Sequence, residues 1–330
     1  MQKILALTAL IVLAVWGGLH LTLNDTPSAP TPGRTVLSVY TTGQATTPQM
    51  PLWKALAEGK LNFTPEIHYW KNLDDLRGLL LSGKGDIWVG HIDGFAQAAM
   101  RGAPIRLVSV TGWKKFYLLS SREDIRSFKD ISQLSKRSEI ASAPPHSPGV
   151  AIMRALEGYG LPSFSYAPYE PKQLSLMAMQ KKVDLLILPE PLVTVLLKKA
   201  PHLHIVASIE EEYGLLTGKP AMLPIAGVAV NTETLKQHPM LAEQIEKALK
   251  HQETSLKKNP ATGLDTLPKE FEKFIPRQMI LSSLERDIIQ VRSARESKAL
   301  ILDYLNIVFS DKKMTAKDIS LPEAFFGGAS

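Results

Sequence analysis

The side chains able to do chemistry fall in short loops, each behind a stretch that reads as a β-strand, and they are hydrogen-bonding groups. Behind the first strand lie Thr42, Gly43, Gln44, Thr46 and Thr47, which offer hydroxyls, an amide and approachable backbone. Behind the second come Trp70, Lys71 and Asn72. An indole there can stack on a solute or wall it from water, while Asn72 also suits a plain helix cap. His91 follows the third strand, where an imidazole donates, accepts or carries charge near neutral pH; Asp93, two residues on, more often serves as a helix cap. Trp113 follows the fourth strand, with Lys114 and Lys115 next to it. A lysine turned inward there favours an anionic ligand, whereas a solvated pair does not. Further along, His146 and Ser147 precede Pro148, which suits the first position of a helix. Glu190 stands between two prolines at a strand end. There it can accept from a ligand amine or ring nitrogen, brace a closed state or meet a partner protein.

Missing patterns narrow the chemistry. The sequence has no phosphate-cradling GxxxxGK[ST] loop, no GxSxG, no HExxH and no dinucleotide GxGxxG. With no cysteine in the chain, disulfides, thiolate metal sites, a thiol nucleophile and a lipid-bearing anchor cysteine are excluded. His202 and His204 share one strand face but lack neighbouring carboxylates, so no metal site is expected. These absences point to reversible binding, with no catalytic residue, cofactor or metal.

Lys and Arg number 38 against 32 Asp and Glu, a formal charge of +6 over 330 residues. No basic run is dense enough for a nucleic-acid tail, so no nucleic-acid partner is expected and the excess is a mild bias toward anionic ligands. The length suits two lobes of about 100–150 residues each.

The order of elements must position those loops. Residues 35–40, 65–70, 86–90 and 104–110 read as strands, and 51–58, 73–81 and 94–101 as helices between them. Alternation of this kind predicts α/β lobes with mostly parallel sheets, in which ligands bind outside the carboxyl ends of the strands. Residues 116–120 read as a further strand of the first lobe, with the crossing to a second lobe in the polar stretch just after it. There, strands are expected at 139–143, 166–169, 183–188 and 204–208, with helices from 149 to 159 and 172 to 181 and another up to Lys199. Residues 223–230 return to the first lobe, 234–258 form one helix with alternating charge, and residues beyond 267 pack back on that lobe. The expected division is therefore 1–33 as an export or anchor segment with its linker, 34–120 and 211–330 as the first lobe, and 121–210 as the second. Two crossings make a hinge, and a hinge between α/β lobes makes a cleft.

The N-terminus carries Lys3 before an apolar run over 4–23, then a Pro/Thr/Ser-rich linker over 24–33. A cationic residue before such a run is an export signal, and its length is close to the ~20 residues that span a bilayer. Cleaved or kept as a tether, it places the remainder outside the cytoplasm, in the periplasm or cell envelope.

Four segments carry a resemblance. Residues 70–110, WKNLDDLRGLLLSGKGDIWVGHIDGFAQAAMRGAPIRLVSV, form a block of strand, helix, Gly turn, Asp-initiated strand, helix, Gly-Ala-Pro and strand. Residues 183–193, VDLLILPEPLV, join Val-Asp and an apolar strand to Glu-Pro. Residues 229–243 run from Val-Asn into a helix near His-Pro, and 321–326 read LPEAFF. In this order the segments resemble type II periplasmic binding proteins of the nitrate, taurine, sulfonate and thiamine-precursor group, over nearly everything after Arg34. The resemblance implies a monomer of two lobes that closes on a small solute and delivers it to the membrane permease of an ABC importer. It leaves two rivals open: a tethered envelope sensor, and a pathway enzyme on the same fold. A related eukaryotic group makes a pyrimidine precursor with a cysteine-rich motif, which this chain lacks.

Overall fold

The computed structural model describes residues 34–44, 46–134, 140–310 and 319–327. The export segment and linker expected over 1–33 lie outside the described residues. The first sheet starts with β1 (Thr35–Thr41), whose β-branched and aromatic residues pair in register with β2 (Phe63–Tyr69). Pro65 is tolerated in β2 because that strand is the sheet edge. Next come α1 (Met50–Ala57) in the connection, α2 (Leu73–Leu81), β3 (Ile87–His91), α3 (Ile92–Ala99) and β4 (Ile105–Trp113). Asn72 starts α2 by accepting from the Asp75 amide at 2.9 Å, and Asp75 accepts from the Lys71 amide at 2.9 Å. The turn after α2 reaches Gly83 at φ 64°, a backbone that a side chain disfavours.

The second sheet holds β5 (Phe116–Ser120), β6 (Ile140–Ala143), β7 (Ser165–Pro168), β8 (Leu185–Pro189) and β9 (His204–Ser208). Around it lie α4 (Phe128–Ser132), α5 (Pro148–Glu157), α6 (Pro171–Met179), α7 (Leu192–Lys199) and α8 (Ile209–Thr217). β10 (Pro224–Asn231) returns to the first sheet. It is followed by α9 (Thr232–Gln237), α10 (Leu241–Lys258), α11 (Ala261–Leu264), α12 (Arg277–Ser283), β11 (Arg292–Ser293) and α13 (Lys298–Ser310).

Strand order is β11-β4-β10-β3-β1-β2 in the first sheet and β7-β6-β8-β5-β9 in the second. In the first, β1 to β4 run one way and β10 and β11 oppose them; in the second, only β5 opposes the rest. This is the two-lobed, mostly parallel α/β architecture that the alternation predicts. β5 follows β4 within a few residues but pairs antiparallel with β8 and β9 of the second sheet.

Three local expectations change. Phe116–Ser120 belongs to the second sheet, so the chain changes sheets at Lys114 and Lys115, ahead of the polar stretch after 120. The helix expected over 234–258 is two helices, because Pro239 lacks an amide proton and turns His238 to φ −128°, ψ 68°. The C-terminal helices contact both lobes: α12 packs on α7, and α13 packs on α5 as well as α3.

Apolar faces decide that packing. α10 turns Leu241, Ile245, Ala248 and Leu249 toward Leu52 and Trp53 of α1 and Val228 and Val230 of β10. Phe325 and Phe326 of the LPEAFF tail pack edge to face, 5.1 Å between rings, inside the largest cluster. β10 runs so close to β4 that a Cβ on Gly227 meets the Ser109 carbonyl oxygen at 2.4 Å. Gly227→Ala is therefore expected to lower unfolding free energy by about 1–3 kcal/mol. Gly78→Ala in α2, where a Cβ meets nothing within 4 Å, is expected to raise it by about 0.5–1 kcal/mol. Urea unfolding of both variants checks the pair of signs.

Candidate ligand cleft

Where the chain passes between sheets, polar groups are buried together. Lys115 is 4% exposed, and its ammonium meets both carboxylate oxygens of Asp287 at 2.5 Å. Glu210, wholly buried at the start of α8, accepts from the amides of Lys115 at 2.7 Å and Phe116 at 3.0 Å. Its neighbour Glu211 pairs with Lys114. Glu190 accepts from the Thr194 amide at 3.1 Å and from the Arg286 Nε at 2.7 Å. The Tyr117 hydroxyl donates to the Arg286 carbonyl at 3.2 Å. The two crossings and the 286–287 segment are thereby tied together.

Above this junction lies a cavity of about 160 Å³ between the sheets. It is bounded by the carboxyl ends of β1, β2 and β3 from one lobe and β6, β7 and β8 from the other. Thr42, Gln44, Trp70, Asn72, His91, His146, Ser147 and Glu190 all line it. Thr47, Asp93 and Trp113 do not.

Each of those three has another position. Trp113 is wholly buried, donates from its indole to the Gln290 carbonyl at 3.0 Å and lies under the Arg292 guanidinium, so it holds β4 to the C-terminal segment and stands outside the cleft. Thr47 is enclosed beside α1, and its hydroxyl makes no hydrogen bond within the protein. Asp93 accepts from the Tyr304 hydroxyl at 3.3 Å and faces a second cavity of about 210 Å³, on the other side of the loop holding His146 and Ser147. Burial beside Asp93 pushes the Tyr304 phenol well above its usual range.

Among the residues that do line the cleft, roles differ. The Trp70 indole donates to the Val89 carbonyl at 3.1 Å, which fixes the ring against the first sheet. Asn72 is occupied as the cap of α2. Ser147 sits at the N-cap of α5 but makes no capping bond; its hydroxyl is enclosed, 7% exposed as a residue, and unbonded within the protein. An enclosed hydroxyl costs ~1–3 kcal/mol until something pairs with it. Burial lowers the pKa of His91 despite Asp93 3.9 Å away, so its ring is neutral at physiological pH. Glu190 is held by Arg286 and Thr194.

Sequence reasoning missed Phe116, Ile225 and Ala226, which line the cavity from the two crossings together with Lys115, the lysine of the pair that turns inward. It also missed Gln49, which donates to the Thr42 carbonyl at 2.6 Å and accepts from the Trp53 indole at 3.2 Å, holding the first loop in place. The buried Thr-Pro-Gln before α1 was the available signal for Gln49. Among the described residues, no group of three His, Cys, Asp or Glu side chains is placed to hold a metal ion.

No protein-family model matches the chain, and no curated protein matches its sequence. Solved structures do match the fold. An ABC transporter structure from Parabacteroides distasonis aligns with a TM-score of 0.70 at 18% identity, covering 90% of this chain and 100% of that one. The alkanesulfonate-binding protein SsuA of Xanthomonas axonopodis, bound to MOPS, aligns at 0.64 with 16% identity, over 88% of this chain and 97% of its own. The periplasmic nitrate-binding protein NrtA of Synechocystis aligns at 0.60 with 12% identity, over 88% of each chain. At these identities the likeness establishes the fold: this chain has the two-lobed architecture of periplasmic binding proteins of ABC transporters.

Burial pushes the Glu210 carboxyl up to about 7, although backbone amides and Lys115 pull it down. Between its ordinary value near 4.5 and about 7, the folded chain holds a proton that the unfolded chain has lost. Stability therefore falls as pH rises through that window and is greater on its acid side. Relative to Glu210→Gln, the native chain is expected to lose about 3 kcal/mol of unfolding free energy from pH 4.5 to 7.5. Urea unfolding of both at stepped pH reads the difference; a flat difference contradicts it.

Proposed function

We propose that this chain is the extracytoplasmic solute-binding component of an ABC importer. It works as a monomer that captures one small solute between its lobes and presents the closed form to a membrane permease. The observation that carries this is the cavity built from the strand carboxyl ends of both lobes at once. A solute there touches both lobes only when they are together, so its binding energy favours the closed arrangement. Ser147 and His91 meet its polar atoms, while Trp70, Phe116 and Ile225 surround its apolar body. Thr42 and Gln44 bound it from the first loop, and His146 covers it from the opposite one. Asn72 and Glu190 hold the walls.

The likeness to sulfonate- and nitrate-binding structures supports a transport role and leaves the solute of this chain open. Among the described residues lining the cavity, no nucleophile is paired with a base, so the reading rests on binding. Residues 4–23, outside the described structure, serve as the export signal or as a tether to the membrane.

A thermal-shift screen of oxyanions, sulfonates, pyrimidines and amines tests this assignment. A solute present at 100 times its Kd is expected to stabilise the chain by about 2.7 kcal/mol. It should be recovered chemically unchanged. Ser147→Ala and Trp70→Ala should each weaken its binding about tenfold, or about 1.4 kcal/mol. Conversion of the solute, or full affinity in both variants, removes the assignment.

A further inference from the structure

We infer that the cleft selects an uncharged solute over an anion of the same shape, because Arg286 and Asp287 neutralise the two ionised side chains buried in its wall. This rests on the receptor assignment above. Five charged residues line the cavity: Lys71, Asp74, Lys115, Glu170 and Glu190. Lys71, Asp74 and Glu170 are exposed at the rim, where water and salt screen them, and Asp74 is paired with Arg77 at 2.8 Å. Lys115 and Glu190 are buried, and neither has charge to spare. Lys115 gives its ammonium to both oxygens of Asp287, and Glu190 takes the Arg286 guanidinium. One dipeptide of the C-terminal segment thus cancels both signs.

Helix ends lead to the same conclusion. An anion is held at a helix N-terminus by free amides and the helix dipole. Carboxylates already occupy that place on α2 (Asp74 and Asp75) and α7 (Glu190). The first turns of α1, α5 and α6 carry none; with no full cation beside them, their partial charge serves a carbonyl oxygen or a ring nitrogen without the desolvation that a full negative charge pays. Of the other polar groups, the unbonded Ser147 hydroxyl, the neutral His91 ring and the Thr42, Gln44 and Asn72 side chains carry no charge, and the His146 imidazole is exposed at the rim. Trp70, Phe116, Ile225 and the flanking prolines make the rest of the wall apolar. A formal charge of either sign entering this space gives up its water without a counter-charge, which costs far more than burying a hydrogen-bonded neutral group. At about 160 Å³ the space is smaller than the roughly 300–1,000 Å³ of drug-sized pockets, so the solute is small. The mild anionic bias suggested by composition therefore does not extend into the cleft.

Benzenesulfonamide and benzenesulfonate, alike in shape and different in charge, provide the test by isothermal titration. The unmodified chain is expected to bind the sulfonamide at least tenfold more tightly. Asp287→Asn leaves Lys115 without its counter-charge and should move the ratio at least tenfold toward the sulfonate. The double variant Lys115→Met/Asp287→Leu, which removes both charges together, should keep the original preference. If Asp287→Asn does not fold, the ratio on the unmodified chain decides. If the unmodified chain binds neither probe, gain of sulfonate binding in Asp287→Asn supports the inference, and no binding by any chain overturns it. Equal binding of the two probes, or preference for the sulfonate, also overturns it while the receptor assignment stands. That assignment falls separately, when no solute of the broad screen stabilises the chain.

Discussion

A charge that leaves water must take its partner with it, and this chain buries two charges of opposite sign at the point where it changes sheets. Lys115 lies in the first crossing, and Asp287 comes to it from 172 residues further on. Removing either partner alone strands a charge in the interior, while together they cost little. The C-terminal segment must therefore return to the junction. Its return brings Arg286 to Glu190 and Gln290 to Trp113, and it sets α12 against α7. Glu210 completes the arrangement by capping the amides of Lys115 and Phe116, which antiparallel entry into the second sheet leaves facing α8.

The same constraint shapes the cleft. Its floor is the junction, so the buried charged groups in its wall, Lys115 and Glu190, are those already used to join the lobes. Closure around a solute, as proposed, has to turn about this floor. Beside it, α12 packs on α7, and α13 packs on both α3 and α5.

Much of the architecture was legible because it depends on short-range pattern. The alternating strands, the Asn72 cap, the Gly83 turn and the rule that ligands meet strand carboxyl ends placed eight of the candidate residues on one cavity, although they come from five loops. What failed depends on long-range partners. Trp113 looked like a cleft aromatic because it ends a strand, yet β11 and Gln290, distant in sequence, cover it. The 114–115 lysines looked like a solvated pair because nothing nearby offers two carboxylates; Glu211 and Asp287 arrive from elsewhere. The crossing was misplaced by a few residues for a related reason. Phe116–Ser120 is equally apolar on either sheet, and only its pairing with β8 and β9 decides between them.

The direct test of the junction is a double-mutant cycle on Lys115 and Asp287, read by urea unfolding. Lys115→Met and Asp287→Leu are each expected to lose about 3–5 kcal/mol, because each leaves a buried charge alone. The double variant should lose far less than their sum, giving a coupling of at least about 2 kcal/mol. Losses that simply add, or single variants as stable as the parent, would mean that this ion pair does not hold the two sheets together.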